Sequence, residues 1–306
     1  MAPANIRLDH IAIQVTSLER STRFYQDILH IRFFGPVCPG DLSVTGRLFG
    51  KAVSGQGLFK GVIGGLSSRA IQNHYSRIAL GSTHDDRYDL LLVEQRYPKT
   101  DATKSVDGNT IFGFSCSLSP AVDMEILGWD LDSAGVSFRY GDPGLDGSIY
   151  TPGRSDHSIY LRDPDGRTIE LKTGQVNQAE TEFILSIDTV TLHTTCPDTS
   201  KQFYTGKPGL EPGTDSQNQI PGKRFVWINN GSGEKILLLY GQTSADGNPI
   251  VSGGYGLDHI ALQGLSEEGE ADTTATDILM NPEKLEQKTG SRYIRDSDGF
   301  WIECCR

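Results

Sequence analysis

The phrase YLRDPDGRTIEL at Tyr160–Leu171 returns almost unchanged as YIRDSDGFWIEC at Tyr293–Cys304. Repetition on this scale marks a chain built by duplication, whose copies are supersecondary units. Each copy carries a glutamate, Glu170 or Glu303, four residues after the glycine of an Asp-Gly turn. An opening phrase recurs too: LDHIAIQVT from Leu8, IDTVTLHTT from Ile187 and LDHIALQG from Leu257. Its alternation of apolar with small or polar positions predicts a strand with one buried face.

Between the opening and closing phrases lies a helical signal. In SLERSTRFYQDIL (Ser17–Leu29), Leu18, Thr22, Tyr25 and Leu29 recur at helical spacing, with Ser17 placed as N-cap. CPDTSKQFYTGKPGL is its counterpart, with the same Phe-Tyr pair at Phe203-Tyr204 and a Gly-Leu exit at Gly209-Leu210. Strand, helix and three strands make the unit. Four such units are read, over about 7–96, 110–172, 186–241 and 256–305. The second has its helix near Ala121–Ala134, and the fourth has a weaker helical segment at Asp272–Leu279. The polar stretch Thr173–Glu182 reads as a linker between a first domain, 1–175, and a second, 183–306. A glycine-rich insertion, 35–83, holds weak strand patches such as RLFGKAV and SRIALG. It is expected to form a lid or pocket wall, or else a surface elaboration.

A chain of 306 residues is long enough for two domains, and its 37% apolar and 22% charged content is that of an ordinary globular protein. No apolar run approaches the ~20 residues of a membrane helix, and MAPANIRLDH lacks a signal peptide's apolar core. The net charge of −11 argues against nucleic acid or an anionic membrane as partner. Five scattered cysteines without a CxxC spacing read as idle thiols of a reducing cytoplasm. The partner expected is a small-molecule substrate.

Paired βαβββ units with a strand-one histidine, an FY helix and a terminal DPDGxxIEL strand resemble the vicinal oxygen chelate superfamily. Glyoxalase I, bleomycin-resistance proteins, fosfomycin-modifying enzymes and extradiol dioxygenases belong to it. The resemblance covers nearly the whole chain. It implies an α+β fold of two domains with cup-shaped mixed sheets, and a divalent metal on the inner face of a cup. The superfamily's ligand positions lie on strand one and on the terminal strand. Strand one offers His10, Gly113, Thr189 and His259 in the four units, and the terminal strands offer Leu91, Glu170, Leu238 and Glu303. Pairing units one and four alone yields two histidines and a glutamate, His10, His259 and Glu303. This pairing can form within one chain or across a homodimer. Glu170 is left as a relic, with a cation as its candidate partner. Glu94, three residues past the ligand register, reads as a strand-end charge, or as a fourth ligand if that register slips. His157 and His193 read as structural or pocket residues, while His30, His74 and His84 carry no signal. Asp9 and Asp258 read either as strand starters, the reading preferred, or as groups that orient their neighbours.

A His-His-Glu facial triad suits Fe(II), with Mn(II) or another divalent metal second. In YIRDSDGFWIE, Tyr293 stands ten residues before Glu303. Extradiol enzymes carry a tyrosine at that spacing, where it hydrogen-bonds a metal-bound substrate oxygen. The resemblance therefore implies a ring-cleaving dioxygenase acting on an aromatic diol or related metabolite, with Tyr293 as catalytic residue. The ligand pattern is most similar to the hydroquinone ring-cleaving dioxygenases. The chain departs from the catechol-cleaving signature at Lys284, Leu285 and Glu286, where a histidine is expected. It departs from the hydroquinone group in having Asp9-His10 and Asp258-His259 rather than His-His pairs. Two readings stay open beside it. One is an oxygen-independent lyase, isomerase or thiol transferase using the metal as Lewis acid; the other is a metal-free binding protein.

Overall fold

A computed structural model of the chain describes residues 6–37, 75–83, 89–95, 111–140, 158–173, 183–215, 223–242, 257–264, 292–298 and 300–305. The first unit runs β1 (Arg7–Val15), α1 (Leu18–Leu29), β2 (Arg32–Val37), β3 (Tyr75–Ser82) and β4 (Leu90–Gln95). The second is β5 (Ile111–Leu118), α2 (Met124–Ser133), β6 (Phe138–Tyr140), β7 (Ser158–Arg162) and β8 (Thr168–Thr173). The third is β9 (Ile184–His193), α3 (Pro197–Gly206), β10 (Glu211–Asp215), β11 (Lys223–Asn229) and β12 (Lys235–Gln242). Of the fourth, β13 (Leu257–Gln263), β14 (Arg292–Arg295) and β15 (Trp301–Cys305) are described. The helical segment expected at 272–279 lies outside the described residues. The 35–83 stretch proves partly regular, because β2 runs into it and β3 occupies its SRIALG patch. The lid expectation for the remainder falls outside the described residues.

Local chemistry explains the helix ends. Ser17 has extended backbone and its side chain accepts from Arg20 N, capping α1, while Leu18, Ser21, Tyr25 and Leu29 turn inward. His30 closes α1 in the left-handed region at φ 53°. In the second unit the cap is Asp123, which accepts from the amides of Glu125 and Ile126, so α2 starts later than the sequence suggested. Among the described residues no helix is long and apolar enough to cross a membrane.

The strands form two mixed sheets. Their orders are β14-β15-β13-β1-β4-β3-β2 and β10-β11-β12-β9-β5-β8-β7-β6. Units one and four thus share the first sheet and units two and three the second. The strand-one pairs lie antiparallel at the centres, β1 with β13 and β5 with β9. Each half of the chain contributes a unit to both sheets, and the cross-pairing occurs within one chain. One apolar cluster draws on both sheets and all three helices, including Ile11, Ile13, Leu29, Leu131, Val190, Tyr204, Ile260 and Ile302. Strand alternation sends the intervening residues to the opposite face of each sheet.

The recurrent Phe-Tyr and Asp-x-Asp-Gly phrases meet each other across the two sheets. Tyr25 Oη on α1 donates to Asp163 Oδ2 in the β7–β8 turn at 2.8 Å. Tyr204 Oη on α3 donates to Asp296 Oδ2 in the β14–β15 turn at 2.9 Å. The second turn aspartate repeats the pattern: Asp165 takes Thr16 and Ser21, and Asp298 takes Thr195 and Ser200. The copies differ at one point. Arg167 pairs with Asp163 at 2.8 Å, where the fourth unit has Phe300. Without that cation, burial pushes the Asp296 carboxyl up to about 6.

Candidate metal centre

The strand registers decide which side chains share a face. His10 pairs with Ala261 and Ala12 with His259, so the two histidines sit diagonally across the β1–β13 seam. Glu303 pairs with Ala261 on the other side of β13, and Leu91 pairs with Ala12 on the other side of β1. Four corner positions result, occupied by His10, His259, Glu303 and Leu91. All four side chains are buried: His10 and Glu303 are 1% exposed, Leu91 2% and His259 5%.

The three polar corners converge. His10 Nε2 lies 3.0 Å from His259 Nε2 and 3.7 Å from Glu303 Oε2, and His259 Nε2 lies 3.3 Å from Glu303 Oε2. Two donors each ~2.1 Å from a cation at right angles are ~3 Å apart, so this trio fits one face of an octahedron. Two neutral imidazoles and one carboxylate leave a divalent ion with net positive charge and open positions. Such a buried trio is also hard to keep without a cation, because desolvating a carboxylate is costly.

Other sequence candidates go elsewhere. Glu94 falls on the opposite face of β4 from Leu91, where its Oε1 accepts from Leu18 N at 3.1 Å at the start of α1. The fourth corner is therefore apolar. Leu80, which pairs with Leu91, extends that apolar wall. Tyr293 pairs with Glu303 across β14–β15.

The second sheet keeps only the glutamate of the same four corners. Its registers put Thr189, Gly113, Glu170 and Leu238 at the equivalent positions. A Cβ at Gly113 would lie 1.9 Å from Thr168 O, so β8 occupies the space a histidine would need. Glu170 accepts from three hydroxyls: Ser115 Oγ, Tyr160 Oη at 2.8 Å and Ser158 Oγ at 3.2 Å. Beside it on the same face, Phe225, Trp227, Leu238 and Tyr240 form a separate buried cluster. The His193 ring lies 5.1 Å from that of Tyr240, and burial lowers its basicity.

For Asp9 the geometry fits the less favoured of the two sequence readings. Asp9 does more than start a strand: its Oδ2 lies 2.9 Å from His10 Nδ1. Regular alternation gives no hint of this, because neighbouring residues should face apart. The signal that could have found it is the Asp-His order shared by Asp9-His10 and Asp258-His259.

Neither a protein-family model nor a curated protein matches the sequence. Solved structures do resemble the fold. Glyoxalase I from Zea mays is 14% identical, with 98% of this chain and 92% of that one covered and a TM-score of 0.50. A Bacillus subtilis protein, described provisionally as a dioxygenase, is 12% identical, with 99% and 86% covered and a TM-score of 0.53. With two strand-one seams in two mixed sheets and likeness along nearly its whole length, the chain has the glyoxalase-like fold of these structures.

Proposed function

We propose that the chain is a metal-dependent ring-cleaving dioxygenase acting on an aromatic diol or a related aromatic metabolite. His10, His259 and Glu303 hold the metal, Fe(II) first and Mn(II) or another divalent ion second. The reading is carried by the convergence of two imidazole nitrogens and one carboxylate oxygen within 3.0–3.7 Å on a face whose fourth corner is leucine. Three protein ligands leave room for both a bidentate substrate and oxygen, whereas a four-ligand site would need an acid or amide at Leu91.

When bound, such a metal supplies a redox-active Lewis acid with adjacent open positions. The chain's own residues do the rest. The two imidazoles and the carboxylate occupy one side and leave the other to substrate. Ala12 and Ala261 keep the floor between the ligands low, and Leu80 and Leu91 offer an apolar wall to an aromatic ring. Tyr293, opposite Glu303, is assigned the hydrogen bond to a substrate oxygen. Burial of the ligands keeps bulk water from competing for the open positions.

The test is anaerobic loading with Fe(II), followed by oxygen uptake with catechols and hydroquinones. Uptake matched by a ring-opened product carrying both oxygen atoms supports the proposal. Turnover that persists with Ni(II) or Mg(II) and without oxygen replaces it with the lyase, isomerase or thiol-transferase reading, which the likeness to glyoxalase I favours. Absence of metal retention leaves a ligand-binding protein.

A further inference from the structure

We propose that Asp9 is a positioning residue that sets the tautomer of His10 and so aims its Nε2 at the metal position; this rests on the metal-enzyme reading above. The β1–β13 ladder pairs Leu8 with Leu262 and His10 with Ala261, leaving Asp9 as an extra residue on β1. That is a bulge, and bulges re-aim side chains. Here the bulge brings a carboxylate to 2.9 Å from the Nδ1 of the very next residue, which a regular strand would turn away from it. An ionised carboxylate only accepts, so Nδ1 keeps the ring proton and the lone pair lies on Nε2, the atom facing His259 and Glu303.

The second sheet shows what happens to the same aspartate without this duty. Ser115 pairs with Thr189 and Cys116 with Ile187, so Asp188 is again the extra residue. Thr189 stands in the histidine's place, and Asp188 instead takes Lys172 Nζ at 2.9 Å and the hydroxyls of Ser117 and Ser186. Lys172 lies two residues past Glu170. Two residues past Glu303 stands Cys305, whose sulfur is within 4.8 Å of the Asp9 and His10 ligand atoms. A thiol there offers no cation to draw the carboxylate away. The exchange of lysine for cysteine leaves Asp9 to the histidine.

The experiment uses nitrogen-15 NMR of metal-free protein at about pH 8.5, where a histidine of ordinary basicity is neutral. It is paired with competition titration of Mn(II) or Fe(II) against a chelator. Wild type should show the Nδ1–H tautomer at His10. Asp9→Ala and Cys305→Lys should shift it toward Nε2–H and weaken metal binding by about 10–100-fold. Asp9→Asn, whose amide can turn its NH2 toward Nδ1 and donate, should relax the tautomer as Asp9→Ala does. An Nε2–H signal in wild type, or a tautomer indifferent to Asp9→Ala and Cys305→Lys, overturns the proposal. If wild type binds no metal while the tautomer follows Asp9, the metal reading falls and the positioning role stands.

Discussion

On the proposed ligand set, removing any one of His10, His259 or Glu303 leaves two of the three converging donors. Each alanine variant should lose metal affinity by more than about a hundredfold, read by elemental analysis after gel filtration. Glu170→Ala is the matched control, because its carboxylate is held by Ser115, Ser158 and Tyr160 on the other sheet. It should keep the full metal content, and loss of metal in that variant would refute the assignment of ligands. Gly113 makes a further prediction. With Thr168 O only 1.9 Å from where its Cβ would be, Gly113→Ala should cost about 3 kcal/mol or more in urea denaturation. The copy in the second sheet therefore cannot regain a ligand by point substitution at that corner.

At the scale of elements, the two Tyr–Asp contacts tie each Asp-Gly turn to a helix of the other sheet. Tyr204→Phe strips the donor from buried Asp296 and should cost about 1–3 kcal/mol by chemical denaturation. The Asp296 carboxyl titrates near 6 in the fold against an ordinary 3.8. The folded state thus binds that proton more tightly than the unfolded chain. Ionisation above pH 6 is a cost of about 3 kcal/mol to the fold, relieved as pH falls through 6 toward 4. Asp296→Asn should flatten this component of the stability–pH curve, and an unchanged curve would rule out the assignment. Much at this scale was legible in the sequence. The opening and closing strands and the shared face of His10, His259 and Glu303 could be read because each is a local pattern repeated in another copy, and Ser17 because capping is itself local. The meaning of the Thr16, Ser21, Tyr25 and Thr195, Ser200, Tyr204 spacing was not, because its partners are on another unit. The Asp9 bulge was hidden for a related reason: a one-residue slip in a ladder depends on the partner strand. β3 was read only as the weak strand patch SRIALG, because the glycine-rich stretch around it dilutes the strand pattern.

For the whole molecule, one apolar cluster shared by both sheets, with two polar clamps across them, makes separate melting of the sheets costly. Urea unfolding of the wild type should therefore be a single transition by near-ultraviolet and far-ultraviolet dichroism, and two resolved steps would show that the sheets are independent. The seam between β1 and β13 also sets an order of events during synthesis. Under the proposed ligand set, His10 is made 249 residues before His259, so a nascent chain that stops short of β13 has the first histidine without the seat for a cation. If that set holds the metal, loading has to wait until β15 has joined β13 and β1.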